Sequence, residues 1–285
     1  MKFPETSYWG TVNGFSVLDI GVFRVRGGIM VDETVAMKNL TVAAQKIGIY
    51  HEGYLCYEED RDDAVVLYEL MEKGFYRPSP NKEVSAIYRS MIEDMIFEHN
   101  YNYLLEYRKE CNKVKKQIVI LNGSATVGKD SFVNALSRYV TVKHISMCDL
   151  AKKALLTCGW NGIKYEQSRK ALSDIKIALD NFEDSNFSYI TQNVKKFLFD
   201  YPEYDGIEYL CIDMREPKDI QRFKCFLLNV PAILIKNPRV SHITSNIGDA
   251  GVNNYAYDYC ISNDGTKDDL LEKAKALLDV LEVKE

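Results

Sequence analysis

The second half of the chain alternates between two patterns of apolar residues. Short apolar runs, typical of buried strands, occupy residues 118–121, 140–146, 206–214, 230–237 and 255–262. Amphipathic stretches, with an apolar residue every three or four positions, occupy residues 150–158, 165–182, 187–199, 216–227 and 266–283. Strands that alternate with helices predict a parallel, doubly wound sheet of the α/β class. Ligands of such sheets bind beyond the carboxyl ends of the strands.

The first part of the chain mixes strand and helix patterns less regularly. Residues 8–31 carry β-type runs, a helical pattern covers residues 33–48, and residues 49–59 read as a further strand. Helices are expected over about residues 61–73 and 82–109, because the prolines between them interrupt the helical pattern. Together these elements predict a smaller N-terminal α+β domain.

A charged stretch near residues 112–116 separates the two parts. We therefore predict two domains, residues 1–112 and residues 116–285. The N-terminal domain is rich in tyrosine, and we expect these side chains to pack in a core rather than to stack on nucleic-acid bases. Three roles stay open for this domain: binding a partner, forming a homodimer interface, or covering an active site.

Composition narrows the possible classes of protein. A chain of 285 residues with 46% hydrophobic residues can form one large or two modest domains. Its formal net charge of −5 disfavours a dedicated nucleic-acid-binding protein. Seven cysteines and four histidines are scattered, which disfavours a disulfide framework or a zinc site. The chain has no apolar run near the ~20 residues of a membrane span and no signal-peptide pattern, so we expect a cytoplasmic protein without membrane contact.

One motif carries specific chemistry. After the apolar run at 118–121, Gly123 and Gly128 bracket four residues, Lys129 follows, and a helical pattern begins. This G-x-x-x-x-G-K spacing between a strand and a helix predicts a phosphate-binding P-loop. The glycines let backbone N–H groups point at phosphate oxygens, the helix adds its positive end, and Lys129 reaches the β- and γ-phosphates of ATP. A plain glycine turn is the alternative, and it would not require the lysine.

Asp130 stands where Ser or Thr usually ligates Mg²⁺, and Ser131 follows it. A carboxylate can hold this cation directly or through its water shell. The hydroxyl of Ser131 would then meet the α-phosphate. The residues predicted to bind the nucleotide in this segment are Gly123, Ser124, Ala125, Thr126, Val127, Gly128, Lys129, Asp130 and Ser131.

The resulting G-x-x-x-x-G-K-D-[ST] loop resembles that of the phage-type deoxynucleoside monophosphate kinases, and a similar loop occurs in some phosphomevalonate kinases. The resemblance extends over roughly residues 116–283. It implies a P-loop kinase-like parallel sheet with flanking helices, ATP as the phosphoryl donor, Mg²⁺ as cofactor, and a small phosphorylated acceptor. A (deoxy)nucleoside monophosphate is the acceptor that the resemblance favours most.

A carboxylate and a cation follow the third strand of this half. Asp213 lies at the strand end, the usual place for a carboxylate near Mg²⁺, so Asp130 and Asp213 are the predicted metal ligands. Arg215 could bridge the phosphates of donor and acceptor, since its planar fork suits phosphate. Similar kinases carry an aspartate–x–arginine at this strand end. The predicted catalytic residues are Lys129, Asp213 and Arg215. Alternatively, Asp213 and Arg215 pair with each other or cap the next helix.

The acceptor-binding residues are predicted mainly from the resemblance. Similar kinases carry a phenylalanine–alanine–aspartate–proline–leucine–lysine segment after the second strand, which this chain matches at Asp149 and Lys152 but with Leu150 in place of the proline. The resemblance implies that Asp149 contacts the acceptor and Lys152 its phosphate. Arg169 and Arg239 complete the predicted set. The alternative for Asp149 is an ordinary acidic residue at a helix start.

Two later segments are also candidates. The polar stretch 240–254 is predicted to be a lid or a loop beside the substrate. After the fifth strand, Asn263 and Gly265 lie in a segment that resembles the base-contacting loop of dephospho-coenzyme A kinases and deoxynucleoside monophosphate kinases. The alternative is an Asn-Asp-Gly turn that leads into a helix capped by Thr266.

These observations predict ATP-dependent phosphoryl transfer to a small phosphorylated acceptor. Two alternatives stay open. One is a kinase for another small molecule, such as dephospho-coenzyme A or a phosphorylated metabolite, with the same loop and sheet. The other is a nucleotide-binding regulatory module without fast turnover, in which the N-terminal domain does the work.

Overall fold

Two units make up the chain, Met1–Lys115 and Lys116–Glu285. Their structure, a computed structural model, describes residues 8–9, 16–18, 20–163, 165–227, 229–240 and 251–283. None of the helices in these ranges has the length and apolar content that a membrane crossing requires.

The first unit contains an antiparallel sheet of five strands and several helices. The strands are β1 (Ser16–Val17), β2 (Val22–Val25), β3 (Gly28–Asp32), β4 (Ile49–His51) and β5 (Tyr54–Glu58), in the order β1-β2-β3-β5-β4. The helices are α1 (Glu33–Asn39), α2 (Val42–Ile47), α3 (Asp63–Glu72), α4 (Lys82–His99) and α5 (Tyr101–Glu110). Phe23, Met30 and Cys56 are buried together in a core on this sheet.

The prediction of one helix over residues 33–48 is wrong, because α1 and α2 are separate helices. Leu40 between them is extended, with φ −107° and ψ 148°. Thr41 then caps α2 with its side-chain oxygen. The backbone N–H of Thr41 donates to Oε2 of Glu69 in α3 at 2.9 Å. A buried carboxylate from another helix therefore takes the place of the hydrogen bond that a continuous helix would supply.

Two other predicted elements of the first unit are also interrupted. The strand predicted over residues 49–59 is a hairpin of β4 and β5. Glu52 and Gly53 form its turn with φ values of 48° and 88°, the positive pair that tight hairpins favour. The helix predicted over residues 82–109 divides into α4 and α5, since Asn100 leaves the helical conformation with φ −129° and ψ 38°.

The second unit contains a five-stranded sheet in which every strand pair is parallel. Its strands are β6 (Gln117–Asn122), β7 (Val142–Ser146), β8 (Tyr209–Asp213), β9 (Ala232–Lys236) and β10 (Tyr259–Ser262). Its helices are α6 (Lys129–Leu136), α7 (Asp149–Thr157), α8 (Glu166–Asn181), α9 (Ser185–Leu198), α10 (Pro217–Phe226) and α11 (Lys267–Val283). The predicted parallel sheet with flanking helices is confirmed.

The apolar runs form the centre of this sheet because both of its faces are covered. Residues of α6 and α11, such as Phe132 and Leu277, pack in one buried cluster with Val119 of β6 and Ile233 of β9. Strands that are buried on both faces read as continuous apolar runs, which explains the pattern of residues 118–121.

The strand order is β10-β9-β6-β8-β7, so β8 lies between β6 and β7 although β7 comes first along the chain. Asp213 at the end of β8 has two neighbours in register, Leu121 of β6 and Ser146 of β7. The carboxyl ends of these three strands therefore meet at one edge of the sheet. The glycine loop, residues 123–128, leaves β6 at this edge and leads directly into α6.

Candidate functional site

Both glycines of the glycine loop have backbone conformations that disfavour a side chain, and at Gly123 the neighbouring backbone also excludes one. Gly123 has φ +148°, and a Cβ there would lie 2.5 Å from the carbonyl oxygen of Ile235. Gly128 has φ +95°, and its Cβ would lie 2.1 Å from Nδ2 of Asn263. The loop therefore runs close against the end of β9 and against the segment after β10. This is the strand–loop–helix arrangement that the motif predicts, whereas phosphate binding itself stays a prediction.

Lys129 is the first residue of α6 and is buried. Its Nζ donates a hydrogen bond to the carbonyl oxygen of Gly123 at 2.7 Å. The ammonium group therefore lies over the start of the loop. Among the other predicted residues, Ser124, Ala125 and Val127 are buried in the loop, while Thr126, Asp130 and Ser131 are exposed.

A histidine that the sequence did not single out lies between the two predicted metal ligands. Nε2 of His144 is 3.1 Å from Oδ1 of Asp213, and Nδ1 is 3.7 Å from Oδ1 of Asp130. Nε2 of His144 and Oδ1 of Asp213 are both buried, and neither has a hydrogen bond of acceptable geometry. Protonated His144 forms a close ion pair with Asp213. The sequence could not predict this contact, because the contact depends on the pairing of β7 with β8. That pairing sets His144 beside Cys211.

The charges around this edge shift the pKa of both partners. Burial would raise the pKa of Asp213, but His144 and then the charges of Lys129 and Arg215 outweigh it and lower the pKa overall. Burial would likewise lower the pKa of His144, but Asp213, and to a smaller extent Asp130, raises it overall. Asp213 is thus held as a carboxylate at the end of β8.

The donor atoms at this edge fit Mg²⁺, which takes oxygen ligands and is often held by one or two carboxylates together with phosphates and water. Oδ1 of Asp213 is buried and lies 3.1 Å from Nε2 of His144, so an ion bound there would have to share or replace that contact. The side chain of Asp130 is 83% exposed on the first turn of α6. Within the described ranges, no three His, Cys, Asp or Glu side chains come together to hold a metal ion unaided. An ion here would therefore need the oxygens of a bound phosphate as well.

The predicted acceptor residues lie on different elements. Asp149 begins α7, where its Oδ2 accepts from the N–H of Ser146 at 2.8 Å and its Oδ1 lies 2.7 Å from Nζ of Lys152. Burial opposes the charge of Lys152, but the bond to Asp149 outweighs it and raises the pKa of Lys152. Arg169 is half-buried in α8, and Arg239 is exposed after β9. Of the lid predicted over residues 240–254, residues 241–250 lie outside the described residues.

The segment after β10 contacts the glycine loop directly. The N–H of Asn263 donates to the carbonyl oxygen of Lys236 at 2.6 Å, and its Nδ2 donates to that of Val127 at 2.8 Å. The side chain of Asn263 therefore supports the loop, and the predicted contact with a nucleotide base stays a prediction. Gly265 precedes the predicted cap of α11: Thr266 donates its N–H to Asp269 Oδ2 at 2.6 Å, and Asp269 donates its N–H to Oγ1 of Thr266 at 3.2 Å. This reciprocal pair is a capping box.

A second residue that the sequence reasoning missed is Asn122, the last residue of β6. It is fully buried, and its side chain bonds to three separate segments. Oδ1 accepts from the N–H of Gly123 at 2.7 Å. Nδ2 donates to the carbonyl oxygen of Arg215 at 3.0 Å and to the hydroxyl of Tyr257 at 2.7 Å. Its only sequence signal is that a polar residue directly follows the apolar run at residues 118–121.

Arg215 is half-buried in the turn between β8 and α10. The next residue, Glu216, accepts from Nζ of Lys176 in α8 at 2.9 Å, and Lys176 is also 2.7 Å from Asp180. Burial opposes the charge of Lys176, but these two carboxylates raise its pKa overall. The turn that carries Arg215 is therefore tied both to β6 and to α8.

Comparison with known proteins adds little to this geometry. No protein-family model and no curated protein matches the chain. Among solved structures, it is similar to the unliganded crystal structure of a sugar kinase from Janibacter sp. HTCC2649, with 11% sequence identity and a TM-score of 0.32. That match covers 57% of this chain and 95% of the other. A likeness of this size says nothing about the site, which stands on its own contacts.

Proposed function

We propose that the protein transfers the γ-phosphoryl group of ATP to a small phosphorylated acceptor, with a (deoxy)nucleoside monophosphate as the first candidate. The observation that carries this proposal is the glycine loop at the carboxyl end of the central strand of a parallel sheet. Both of its glycines have backbone conformations that disfavour a side chain, Lys129 lies across its start, and Asp213 ends the neighbouring strand. Such a loop at a helix N-terminus suits a chain of phosphates.

Phosphoryl transfer needs positioning and charge neutralisation more than covalent help from the protein. An oxygen of the acceptor phosphate attacks the γ-phosphorus of ATP, the bond from that phosphorus to the β–γ bridging oxygen breaks, and ADP leaves with that oxygen. The loop N–H groups and Lys129 hold the donor phosphates. Arg215 neutralises charge that develops between donor and acceptor. Asp130 and Asp213 would hold Mg²⁺, which supplies further neutralisation when bound.

The acceptor class is proposed from charge. Lys152, Arg169 and Arg239 supply cations on three elements of the second unit, and phosphate is the small anion that this chemistry suits best. Lys152 is already paired with Asp149, so the acceptor phosphate would have to share or replace that pairing. The chemistry alone does not separate a nucleoside monophosphate from dephospho-coenzyme A or another phosphorylated metabolite, so the acceptor has to be found by screening.

The test is acceptor-dependent ATP consumption by purified protein with Mg²⁺. It would be screened against all ribo- and deoxynucleoside monophosphates and dephospho-coenzyme A. Lys129→Met, which keeps an apolar stem in the buried position, should lower turnover by about a thousandfold or more because it removes a charge from the transferred group. Lys275→Ala, at an exposed lysine of α11, is the control and should leave turnover unchanged.

Turnover that survives in a folded Lys129→Met protein would contradict the assignment. Tight ATP binding by the wild type, without turnover on any acceptor, would instead favour the regulatory nucleotide-binding module. Circular dichroism of both variants checks that their folds are intact.

A further inference from the structure

Asn122 is the only side chain described above that bonds to the glycine loop, to the Arg215 turn and to the segment before β10 at once. Its amide uses both hydrogens of Nδ2, one for the carbonyl oxygen of Arg215 and one for the hydroxyl of Tyr257. Because Asn122 is fully buried, loss of a partner would leave one of its polar atoms unpaired inside the protein, which is costly. The orientation of the amide therefore depends on all of its partners being present.

Tyr257 is the third partner of the Asn122 amide, and it takes the second hydrogen of Nδ2. Its hydroxyl donates to the carbonyl oxygen of Val252 at 2.6 Å, so it can only accept from Asn122. Partial burial raises the pKa of Tyr257 to about 12 despite the bond from Asn122, and the phenol therefore keeps its proton at neutral pH. The direction of the chain of bonds, from Asn122 through Tyr257 to Val252, is thus set.

We propose that Tyr257, acting through Asn122, is a positioning residue for Arg215. This rests on the proposed function, in which Arg215 touches the reacting phosphates. The Asn122 bond holds the backbone of Arg215 at a fixed distance from the first peptide of the glycine loop, since the same amide also binds the N–H of Gly123. The loop that would bind the donor phosphates and the turn that carries Arg215 would therefore be correctly placed relative to each other before ATP binds.

The second anchor of the turn makes this role specific. Lys176 holds Glu216 from the α8 side, so the turn does not collapse when the Asn122 bond weakens. Loss of the Tyr257 hydroxyl should therefore shift Arg215 without unfolding the turn. Displacing Arg215 from the reacting phosphates in this way should lower turnover. Binding of the nucleotide by the loop should be unchanged.

The test is a double-mutant cycle of Tyr257→Phe and Arg215→Ala. Tyr257→Phe alone should lower kcat by about tenfold to a hundredfold, with the Kd for ATP and the melting temperature close to wild type. In the Arg215→Ala background the same substitution should have almost no further effect, because the residue that it positions is gone. Tyr255→Phe is the matched control: within the described residues, the Tyr255 hydroxyl makes no hydrogen bond, and its ring lies 5.1 Å from that of Tyr257.

Two results would overturn the proposal. One is a Tyr257→Phe protein with unchanged kcat. The other is a pair of substitutions whose effects on kcat simply multiply, as expected if the hydroxyl acts independently of Arg215.

A readout without turnover separates this inference from the kinase assignment. Hydrogen–deuterium exchange of the peptide that spans residues 209–217 should rise in Tyr257→Phe and stay at the wild-type level in Tyr255→Phe. If the wild type transfers no phosphoryl group but the exchange rises, the kinase assignment fails and the positioning link stands. Unchanged exchange contradicts the link in either case.

Discussion

At the scale of single residues, the glycines of the loop matter because the absence of a side chain lets the backbone pass close to other segments. Gly123 is required because a Cβ would meet the backbone of Ile235, and Gly128 because its φ is +95°, whereas at Gly206, with φ +67°, a Cβ would meet nothing within 4 Å. The spacing of the two loop glycines could be predicted from the sequence, and their conformations agree with it. The residues that pack against these glycines could not be predicted, because they belong to β9 and to the segment after β10.

Asp63, at the start of α3, is a buried carboxyl group with an incomplete set of partners. It is 2% exposed, its Oδ1 has no hydrogen bond, and Arg24 is 3.8 Å away. Burial raises the pKa of Asp63 to about 6, with Arg24 opposing the shift and Asp60 and Glu59 adding to it. The folded protein therefore binds this proton more tightly than the unfolded chain, and stability falls as pH rises from about 4 to about 6.

We expect Asp63→Asn to remove this loss, because the amide is neutral at every pH. The free energy of unfolding of the variant minus that of wild type should be about 1–2 kcal/mol larger at pH 8 than at pH 5. Thermal melting of both proteins at the two pH values measures the difference. Asp60→Asn removes one of the charges that raise the pKa of Asp63, so it should reduce the pH-dependent loss of stability without abolishing it. If the difference in free energy of unfolding between Asp63→Asn and wild type is the same at both pH values, the pKa of Asp63 is not raised.

At the scale of elements, carboxylates of α3 and α5 set where α1 ends and α2 begins. Glu69 of α3 is fully buried and accepts from the N–H and hydroxyl of Thr41 and, at 3.1 Å, from the hydroxyl of Tyr103 in α5. Glu110 of α5 accepts from the first two N–H groups of α2 at 2.7 Å each. The apolar periodicity of residues 33–48 predicts helical structure but not its division into α1 and α2, because that division depends on acceptors far along the chain.

We expect Glu69→Ala to lower the free energy of unfolding by about 2–5 kcal/mol, because it leaves buried donors without an acceptor. Urea titration followed by circular dichroism measures this. Glu106→Ala, which breaks an exposed pair with Lys46 between α5 and α2, should change it by less than about 1 kcal/mol. Equal effects of the two substitutions would mean that burial does not set the strength of these contacts.

At the scale of the whole molecule, the alternation of strands and helices predicts the parallel sheet but not its strand order. The order matters more for the site than any single strand does. Because β8 is inserted between β6 and β7, Asp213, His144 and the glycine loop meet at one edge. Nothing in the local pattern of β7 marks His144 as part of this group, so the sequence could indicate both carboxylates and still miss the imidazole between them.

The second unit draws its whole sheet and one complete core cluster from residues after Lys116. We therefore expect a fragment of residues 116–285 to fold and to bind ATP with the affinity of the full chain, since a domain with its own core can fold alone. Circular dichroism and calorimetric titration of the fragment, beside the full chain, test this. An aggregated fragment, or one that folds but has lost ATP binding, would show that the first unit is required.

The position of β6 has a consequence for the order in which the protein is made. β6 is the first strand of its sheet to leave the ribosome, yet its two neighbours begin only at Tyr209 and Ala232. Since synthesis proceeds from the N-terminus, a growing chain carries the glycine loop long before Asp213 and Ile235 arrive to flank it. On the proposed function, the loop would be flanked on both sides for a nucleotide only after residues up to Asn263 have been made. Nucleotide capture would therefore favour chains that have passed Asn263 over chains interrupted before it.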